Sequence, residues 1–396
     1  MKIRYFDNAA TTQISEKVLM KMFPYLTTAY GNASSMYTIG RQSKKAIDEA
    51  RKEVAEIINV NPKEIYFTSC GSESDNMAIK GFAYANKDKG KHIITSKIEH
   101  HAVLESCETL EKQGFEVTYL NVDKEGIVDI NQLVNSIRSD TILITIMFAN
   151  NEIGTIQPIE EIAKIAKSKN IIFHTDAVQA VGNIPIDCAE IGIDMLSLSG
   201  HKLHGPKGVG ALYVRNGINF EKCMNGGHQE KNKRAGTENV AGIVGLGEAC
   251  KRARQNLDYH IKYLKELRNY CIKRILEEIP NSKLNGSFEK RLPGNANISF
   301  KDTDSQELLF KLDEFGICAS SGSACNTGTQ EPSHVLIALG LSAEEAGGAL
   351  RTTFGEDNTF EDIDFLVNSL KKLVKSTNGE WVKNKNNSQK INLKKL

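Results

Sequence analysis

The chain has 396 residues, with 50 Lys and Arg against 49 Asp and Glu, which leaves a net charge of +1 at pH 7. This balance excludes a general electrostatic attraction to nucleic acid or to anionic membranes. No apolar run approaches the ~20 residues that a membrane-spanning helix needs.

The first two thirds of the chain alternate short β-rich runs with helical periodicity. The predicted strands are 64–68, 92–96, 116–120, 141–147, 171–174, 195–198 and 209–214. Several are apolar almost throughout, which is typical of strands covered on both faces and predicts a mostly parallel sheet in an α/β fold. Helical segments such as 44–58 and 160–167 lie between the strands.

A long helical stretch at 239–279 follows the last of these strands and leads into a second, smaller α/β domain with strands at 297–300 and 317–320. The final segment is rich in Asn and Lys, as flexible tails are. We predict an N-terminal arm (1–15) that packs with the small domain, a large domain (16–258), a small domain (259–375) and a flexible basic tail (376–396).

The eight cysteines are scattered without a CxxC pair. Scattered thiols in a chain of this size are typical of a reducing compartment, and they predict neither a disulfide framework nor a metal site. The first seven residues lack the apolar segment of a secretory signal. We therefore expect a cytoplasmic protein that contacts neither membrane nor nucleic acid directly.

Two charged residues follow predicted strands. Lys202 ends the run SLSGHK, and burial there would lower its pKa and free the amine for attack on a carbonyl. Asp176 stands 26 residues earlier, after another apolar strand, where a carboxylate could pair with a pyridinium nitrogen. A solvated loop lysine and a helix N-cap are the alternatives.

A third pattern runs from Thr68 to Asn76, where a strand end leads into a helix. Small residues, hydroxyls and free amides at a helix N-terminus can bind a phosphate group. Ordinary helix capping explains this pattern equally well by itself.

Eight ordered segments between residues 3 and 373 carry a family resemblance: 5–12 (YFDNAATT), 72–76 (SESDN), 99–100 (EH), 150–154 (NNEIG), 176–179 (DAVQ), 199–202 (SGHK), 234–239 (RAGTEN) and 320–325 (SSGSAC). In order and spacing they resemble the cysteine desulfurases, which are class-V aminotransferase-like, fold-type I pyridoxal-phosphate enzymes. The resemblance implies a large cofactor-binding domain with a seven-stranded sheet. It also implies removal of sulfur from L-cysteine, which leaves L-alanine and a persulfide on the protein.

The resemblance assigns roles around the pyridoxal 5′-phosphate ring. Lys202 would bind the cofactor covalently and move protons, while Asp176 would pair with the ring nitrogen. Gln179 would contact the phenolic oxygen, and His100 would stack on the ring and assist proton transfer. A plain aromatic contact is the alternative for His100, and His101 is expected to serve only structure.

The resemblance also assigns residues to the phosphate and to the substrate. Thr237 would reach the phosphate from a neighbouring subunit, which implies a homodimer with shared sites. Arg351 would clamp the substrate carboxylate, because a planar guanidinium binds a carboxylate through two hydrogen bonds. The remaining assignments are Gly71, Ser72, Ser199 and His201 to the phosphate, Asn151 to cofactor and substrate, and Asn32 to the substrate.

Cys325 is the residue that discriminates within the family. The segment around it, rich in Gly, Ser and Asn, resembles the mobile catalytic loop of the iron–sulfur and nitrogen-fixation desulfurases. Its thiolate would accept the sulfur and pass it to an acceptor protein such as an iron–sulfur scaffold. A buried structural thiol is the alternative, and it suits Cys107, Cys250 and Cys271 on predicted helices better.

Three alternatives remain open at this point. A selenocysteine lyase and a class-V aminotransferase share the cofactor, and a transaminase would have no use for Cys325. A non-catalytic scaffold for sulfur-acceptor proteins is a third reading, and the presence of Lys202, Asp176 and His100 argues against it. Cys70 and His228 stand where the family usually has Gly.

Overall fold

This computed structural model describes residues 2–321 and 332–377. Cys325 and the predicted tail beyond Thr377 lie outside the described residues. Within the described part, no helix has both the length and the apolar character to cross a membrane.

Twelve strands form three sheets in the described residues. Their bounds are β1 Arg4–Tyr5, β2 Ile65–Thr68, β3 His92–Ser96, β4 Glu116–Leu120, β5 Thr141–Thr145, β6 Ile172–Asp176, β7 Met195–Ser199, β8 Gly210–Val214, β9 Ser282–Leu284, β10 Asn295–Phe300, β11 Ile317–Cys318 and β12 Ala349–Thr353.

The helices lie between these strands and after them. Their bounds are α1 Glu16–Leu26, α2 Thr38–Glu56, α3 Gly71–Asn76, α4 Phe82–Asn86, α5 His101–Glu111, α6 Ile130–Ser136, α7 Ile159–Ser168, α8 Cys188–Ile191, α9 Gln229–Asn232, α10 Val240–Glu278, α11 Ser305–Glu314, α12 His334–Ala338, α13 Ala343–Gly347 and α14 Phe360–Thr377. A π-helical turn, Met77–Gly81, joins α3 to α4.

The largest sheet has seven strands in the order β2-β8-β7-β6-β5-β3-β4. Strand β8 runs antiparallel to its two neighbours, and all the other pairs are parallel. The prediction of a mostly parallel seven-stranded sheet is confirmed. Because parallel strands share a direction, the carboxyl ends of β6 and β7 lie at one edge, with Asp176 in register with Ser197.

Helices cover both faces of this sheet, as the apolar strands predict. Ile93, Leu143 and Met195 pack in one core cluster that includes α5. The next residue along each of these strands, for example Ile94, packs in the cluster on the opposite face, which includes α2. Successive side chains of a strand point to opposite faces, so strands buried on both faces need this continuous apolar sequence.

A second core surrounds the antiparallel sheet β12-β10-β9. Helix α10 connects the two cores: Leu246 packs against the large sheet, whereas Leu264 and Ile275 pack in the second cluster. The N-terminal segment also reaches this second core, because β1 pairs with β11 and Phe6 is buried there.

Residues 4–12 connect the second core to the edge of the large sheet. The Phe6 amide donates to the Cys318 carbonyl at 2.8 Å, and the Thr353 amide donates to the Phe6 carbonyl at 2.7 Å. Farther along, the Thr12 amide donates to the His201 carbonyl at 2.9 Å. This segment therefore lies between β12 and the turn that carries Lys202.

Candidate active site

Lys202 stands in a single helical turn, Gly200–Lys202, directly after β7. Its ammonium group donates to the carbonyl of Ala10 at 2.7 Å and also to that of Ala9. Burial lowers the pKa of Lys202 to about 8, and the nearby Arg351 cation contributes to the shift. An amine with this pKa is partly unprotonated near neutral pH, as a carbonyl-attacking lysine needs to be.

Asp176 ends the neighbouring strand β6 and is buried. Its Oδ1 accepts a hydrogen bond from the Val178 amide at 2.9 Å. Burial raises the pKa of Asp176, while His100 and Lys202 lower it. A buried carboxylate is stable as an anion when a cation faces it, and a protonated ring nitrogen would supply that cation.

Gln179 and His100 lie at the same edge of the sheet. The Gln179 side-chain amide donates to the Ala9 carbonyl at 3.0 Å, and this carbonyl also accepts from Lys202. His100 caps α5, with its Nδ1 accepting from the Ala102 amide at 3.1 Å. In the neutral ring the hydrogen therefore sits on Nε2, which is left for a ligand.

The residues assigned to the phosphate surround the start of α3. Gly71 lies so close to its neighbours that a Cβ there would stand 2.6 Å from Val178 Cγ2 and 3.6 Å from Ser199 Cβ. The Gly71 and Ser72 amides lie in the first helical turn, where amides have no acceptor within the helix. Cys70 takes the N-cap position, its sulfur accepting from the Glu73 amide at 3.4 Å.

The Ser199 hydroxyl is buried without a hydrogen-bond partner in the described part of the chain. A buried hydroxyl without a partner is costly, and it indicates a ligand or water at that position. His201 contacts Thr11 Oγ1 through Nδ1 at 3.2 Å, and burial lowers its pKa to about 4. A neutral His201, the Ser199 hydroxyl and the free amides fit the oxygens of a phosphate group.

Arg351 lies on β12 and is buried. One guanidinium nitrogen, Nη1, donates to the carbonyl of Asn151 at 3.0 Å, and Nη2 donates to Asp7 Oδ1 at 2.8 Å. Its backbone pairs in both directions with Ser320, one residue before the described segment ends at Ser321. No pattern in the sequence assigns a role to Asp7, although Asp7 belongs to segment 5–12, which carries part of the family resemblance.

Two predicted site residues, Asn32 and Thr237, have exposed side chains in the single chain. The Asn32 side chain is exposed and accepts from the Ser34 amide at 2.9 Å. The Thr237 side chain is also exposed, and the described residues give it no hydrogen bond.

Several buried titratable groups lie beside Asp176 without being predicted. His174 is fully buried on the same strand, and burial lowers its pKa to about 3. The ring is therefore neutral, and its 3.7 Å approach to Asp75 is not an ion pair; the ring nitrogen instead contacts Ser197 Oγ at 3.0 Å. Burial also raises the pKa of Asp75, and the charge of Asp176 adds to that shift.

A cavity of about 330 Å³ is lined by Lys202 and Gln179 and extends to His260 and Glu356. Asp176, His100 and Ser199 do not line it. Of the residues predicted to bind the cofactor, this cavity therefore meets Lys202 and Gln179.

A lysine of lowered pKa, a buried acid at the neighbouring strand end and the buried Ser199 hydroxyl near the start of α3 fit pyridoxal phosphate. The family model of class-V aminotransferases matches residues 4–366. Cysteine desulfurase IscS of Methanosarcina thermophila is 54% identical over 373 residues, 94% of this chain and 92% of that protein. Cysteine desulfurase IscS of Clostridium botulinum is 51% identical over 373 residues, 94% of each.

Solved structures agree with these relatives. A NifS-like protein superposes with a TM-score of 0.89 at 36% identity, covering 94% of this chain and all (100%) of that one. SspA, solved in complex with cysteine, gives a TM-score of 0.77 at 39% identity, with 89% and 98% covered. The chain therefore belongs to the class-V aminotransferase family and, within it, to the cysteine desulfurases, which use pyridoxal phosphate.

Proposed function

We propose that this protein removes sulfur from L-cysteine, releases L-alanine and transfers the sulfur through Cys325 to an acceptor protein. The observation that carries the proposal is the meeting of three groups at one site: the low-pKa amine of Lys202, the buried carboxylate of Asp176 and the guanidinium of Arg351. These are the groups needed to hold an α-amino acid on a pyridoxal cofactor. The relatives named cysteine desulfurase support cysteine as the amino acid.

Pyridoxal phosphate, when bound, supplies an electron sink for negative charge at the substrate α-carbon. Ser199, His201 and the Gly71 and Ser72 amides would hold its phosphate. Asp176 would accept the hydrogen bond of the protonated ring nitrogen and keep it charged, because two opposite buried charges stabilise each other.

The protein groups would then move protons and hold the ring. Gln179 would donate to the phenolic oxygen, and His100 would cover one face of the ring. Lys202, once released from the cofactor by the substrate amine, would take the α-proton and return a proton later. Its pKa of about 8 matches that dual role, because an acid–base catalyst works best near the operating pH.

Arg351 would bind the substrate carboxylate, with Asn32 and Asn151 assisting. The Cys325 thiolate would attack the substrate sulfur, forming an S–S bond as the Cβ–S bond breaks. The electron pair of the broken bond stays with the carbon, and protonation there yields alanine, while Cys325 keeps a persulfide. The position of Cys325 is outside the described residues, and its role is proposed from the sequence.

We also propose that the protein is a homodimer in which Thr237 completes the phosphate site of the neighbouring subunit. The exposed Thr237 side chain, which has no hydrogen-bond partner among the described residues, supports this arrangement. Helix α1 adds a second observation, because one of its faces exposes four apolar side chains: Leu19, Met20, Phe23 and Leu26. Apolar surface of this kind is typical of a subunit interface.

The domain boundaries at residues 15, 258 and 375 belong to the same proposal. They are supported by helix α10, whose two halves pack in different cores. We further propose a cytoplasmic location, supported by the free state of the seven described cysteines. The acceptor is proposed to be a protein such as an iron–sulfur scaffold.

A single product assay tests the function. Purified protein with pyridoxal phosphate and L-cysteine should release alanine and sulfide in the presence of a thiol reductant, without a keto acid. Lys202→Ala should abolish turnover and cofactor retention. A keto-acid product would indicate an aminotransferase, and a large preference for L-selenocysteine would indicate a selenocysteine lyase.

A further inference from the structure

The guanidinium of Arg351 is held by two acceptors from different parts of the chain. Asp7 Oδ1 accepts from Nη2 at 2.8 Å, and the Asn151 carbonyl accepts from Nη1 at 3.0 Å. The Arg351 side chain is only 5% exposed and that of Asp7 19%. Contacts at two different nitrogens constrain both the position and the plane of the guanidinium.

Asp7 is itself fixed by the local backbone. Its carbonyl accepts from the Ala10 amide at 2.9 Å and from the Tyr5 hydroxyl at 3.1 Å. This turn, residues 7–10, also presents the Ala9 and Ala10 carbonyls to the Lys202 ammonium. One short turn therefore contacts both Lys202 and Arg351, the residue proposed to bind the substrate carboxylate.

We infer that Asp7 is a positioning residue for substrate recognition: through Arg351 it sets where the carboxylate of an α-amino acid binds relative to Lys202. The inference rests on the proposed role of Arg351. Asp7 acts by geometry, because its Oδ1 orients the guanidinium of Arg351. Its negative charge works in the opposite direction, since it repels an incoming carboxylate.

Two variants separate geometry from charge. Asp7→Asn keeps an acceptor oxygen at the same position and removes the charge, so its affinity for a carboxylate ligand should equal or exceed that of the wild type. Asp7→Ala removes one acceptor of Arg351 and keeps the Asn151 carbonyl, so the substrate must supply part of the ordering that Asp7 now supplies. Because an arginine side chain loses rotamer freedom when a ligand orders it, we expect a loss of affinity for a carboxylate ligand of about tenfold or more.

The probes are L-alanine, which has the amine and the carboxylate, and cysteamine, which has the amine and the thiol without a carboxylate. Their dissociation constants are measured from the cofactor absorbance of the pyridoxal-phosphate-loaded protein, without turnover. Asp7→Ala should raise the dissociation constant of L-alanine about tenfold or more and change that of cysteamine less than threefold. The KM for L-cysteine should rise in parallel, with a smaller change in kcat.

Asp362→Ala is the matched control. Asp362 pairs with Lys2 at 2.8 Å and with Arg4 at 3.1 Å, so its loss loosens the same N-terminal segment without touching Arg351. This variant should leave the ratio of the two dissociation constants unchanged. If Asp362→Ala changes the ratio of the two dissociation constants as much as Asp7→Ala does, Asp7 only anchors the N-terminal segment. This outcome would overturn the inference.

Tighter L-alanine binding by Asp7→Ala would also overturn it, because Asp7 would then compete with the substrate. Arg351→Gln separates this failure from that of the proposed function. If Arg351→Gln leaves the ratio of L-alanine to cysteamine affinity unchanged, the carboxylate clamp itself is wrong. If it changes the ratio and Asp7→Ala does not, only the role of Asp7 is rejected.

Discussion

The reactivity of Lys202 toward the cofactor should titrate far below the range of an ordinary lysine. Burial lowers its pKa from 10.5 to about 8. At pH 7 a lysine of pKa 8 is unprotonated in roughly one molecule in ten, against about one in 3,000 for an unperturbed side chain. The free amine is therefore about 300-fold more abundant, and covalent capture near neutral pH should be faster than for an ordinary lysine, by less than this factor because a less basic amine is a weaker nucleophile.

Two substitutions should move this titration in opposite directions. Arg351 lowers the pKa of Lys202 and Asp7 raises it. Arg351→Gln should therefore shift the midpoint to higher pH, and Asp7→Asn should shift it to lower pH. Burial is the larger cause, so both midpoints should stay well below that of a free lysine.

The assay mixes cofactor-free protein with pyridoxal phosphate between pH 6 and pH 10 and follows the absorbance of the lysine adduct. Free lysine with its α-amino group blocked, measured in the same buffers, corrects for the titration of pyridoxal phosphate itself. A midpoint near the ordinary lysine pKa would refute the effect of burial. Shifts of the same sign in both variants would refute the electrostatic assignment.

Three further substitutions test the site and the fold. Asp176→Ala should reduce kcat at least a hundredfold, equivalent to roughly 3–4 kcal/mol; a loss below tenfold would reject the pairing with the ring nitrogen. Ser199→Ala should weaken pyridoxal-phosphate binding several-fold and leave the melting temperature of the cofactor-free protein unchanged, since its hydroxyl has no partner among the described residues; a lower melting temperature of the cofactor-free variant would indicate a structural role. Glu230→Ala should lower the free energy of unfolding by about 3–5 kcal/mol, because it leaves Arg51 buried without the two 2.7 Å bonds it now makes; urea denaturation with an unchanged midpoint would contradict this.

The sheet and its catalytic edge follow from local sequence patterns. Continuous apolar runs predict strands covered on both faces, and the rule for carboxyl ends places Asp176 and Lys202 at one edge. Strand ends were less exact. The strand predicted at 141–147 ends at Thr145, because the Met147 amide donates to the buried carboxylate of Glu99 at 2.9 Å.

Contacts between distant segments could not be predicted in this way. Asp7 and Arg351 are 344 residues apart, and neither residue has a local pattern that indicates the other. The pairing of β1 with β11 likewise joins Arg4 to Ile317, which are far apart in the sequence. Asn32 and Thr237 illustrate a second limit, because both side chains are exposed, and a pattern within one chain does not indicate what an exposed side chain contacts.

The persulfide on Cys325 tests the central claim most directly. Wild-type protein and Cys325→Ser, both loaded with pyridoxal phosphate, are incubated with radiosulfur-labelled L-cysteine, and protein-bound label and free alanine are measured in the same sample. Ser is nearly isosteric with Cys but cannot accept the sulfur, so the variant should still bind cysteine, with a change in the cofactor spectrum. We predict reductant-releasable label and stoichiometric alanine for the wild type and neither for Cys325→Ser. Undiminished alanine formation by Cys325→Ser would contradict the proposed sulfur transfer.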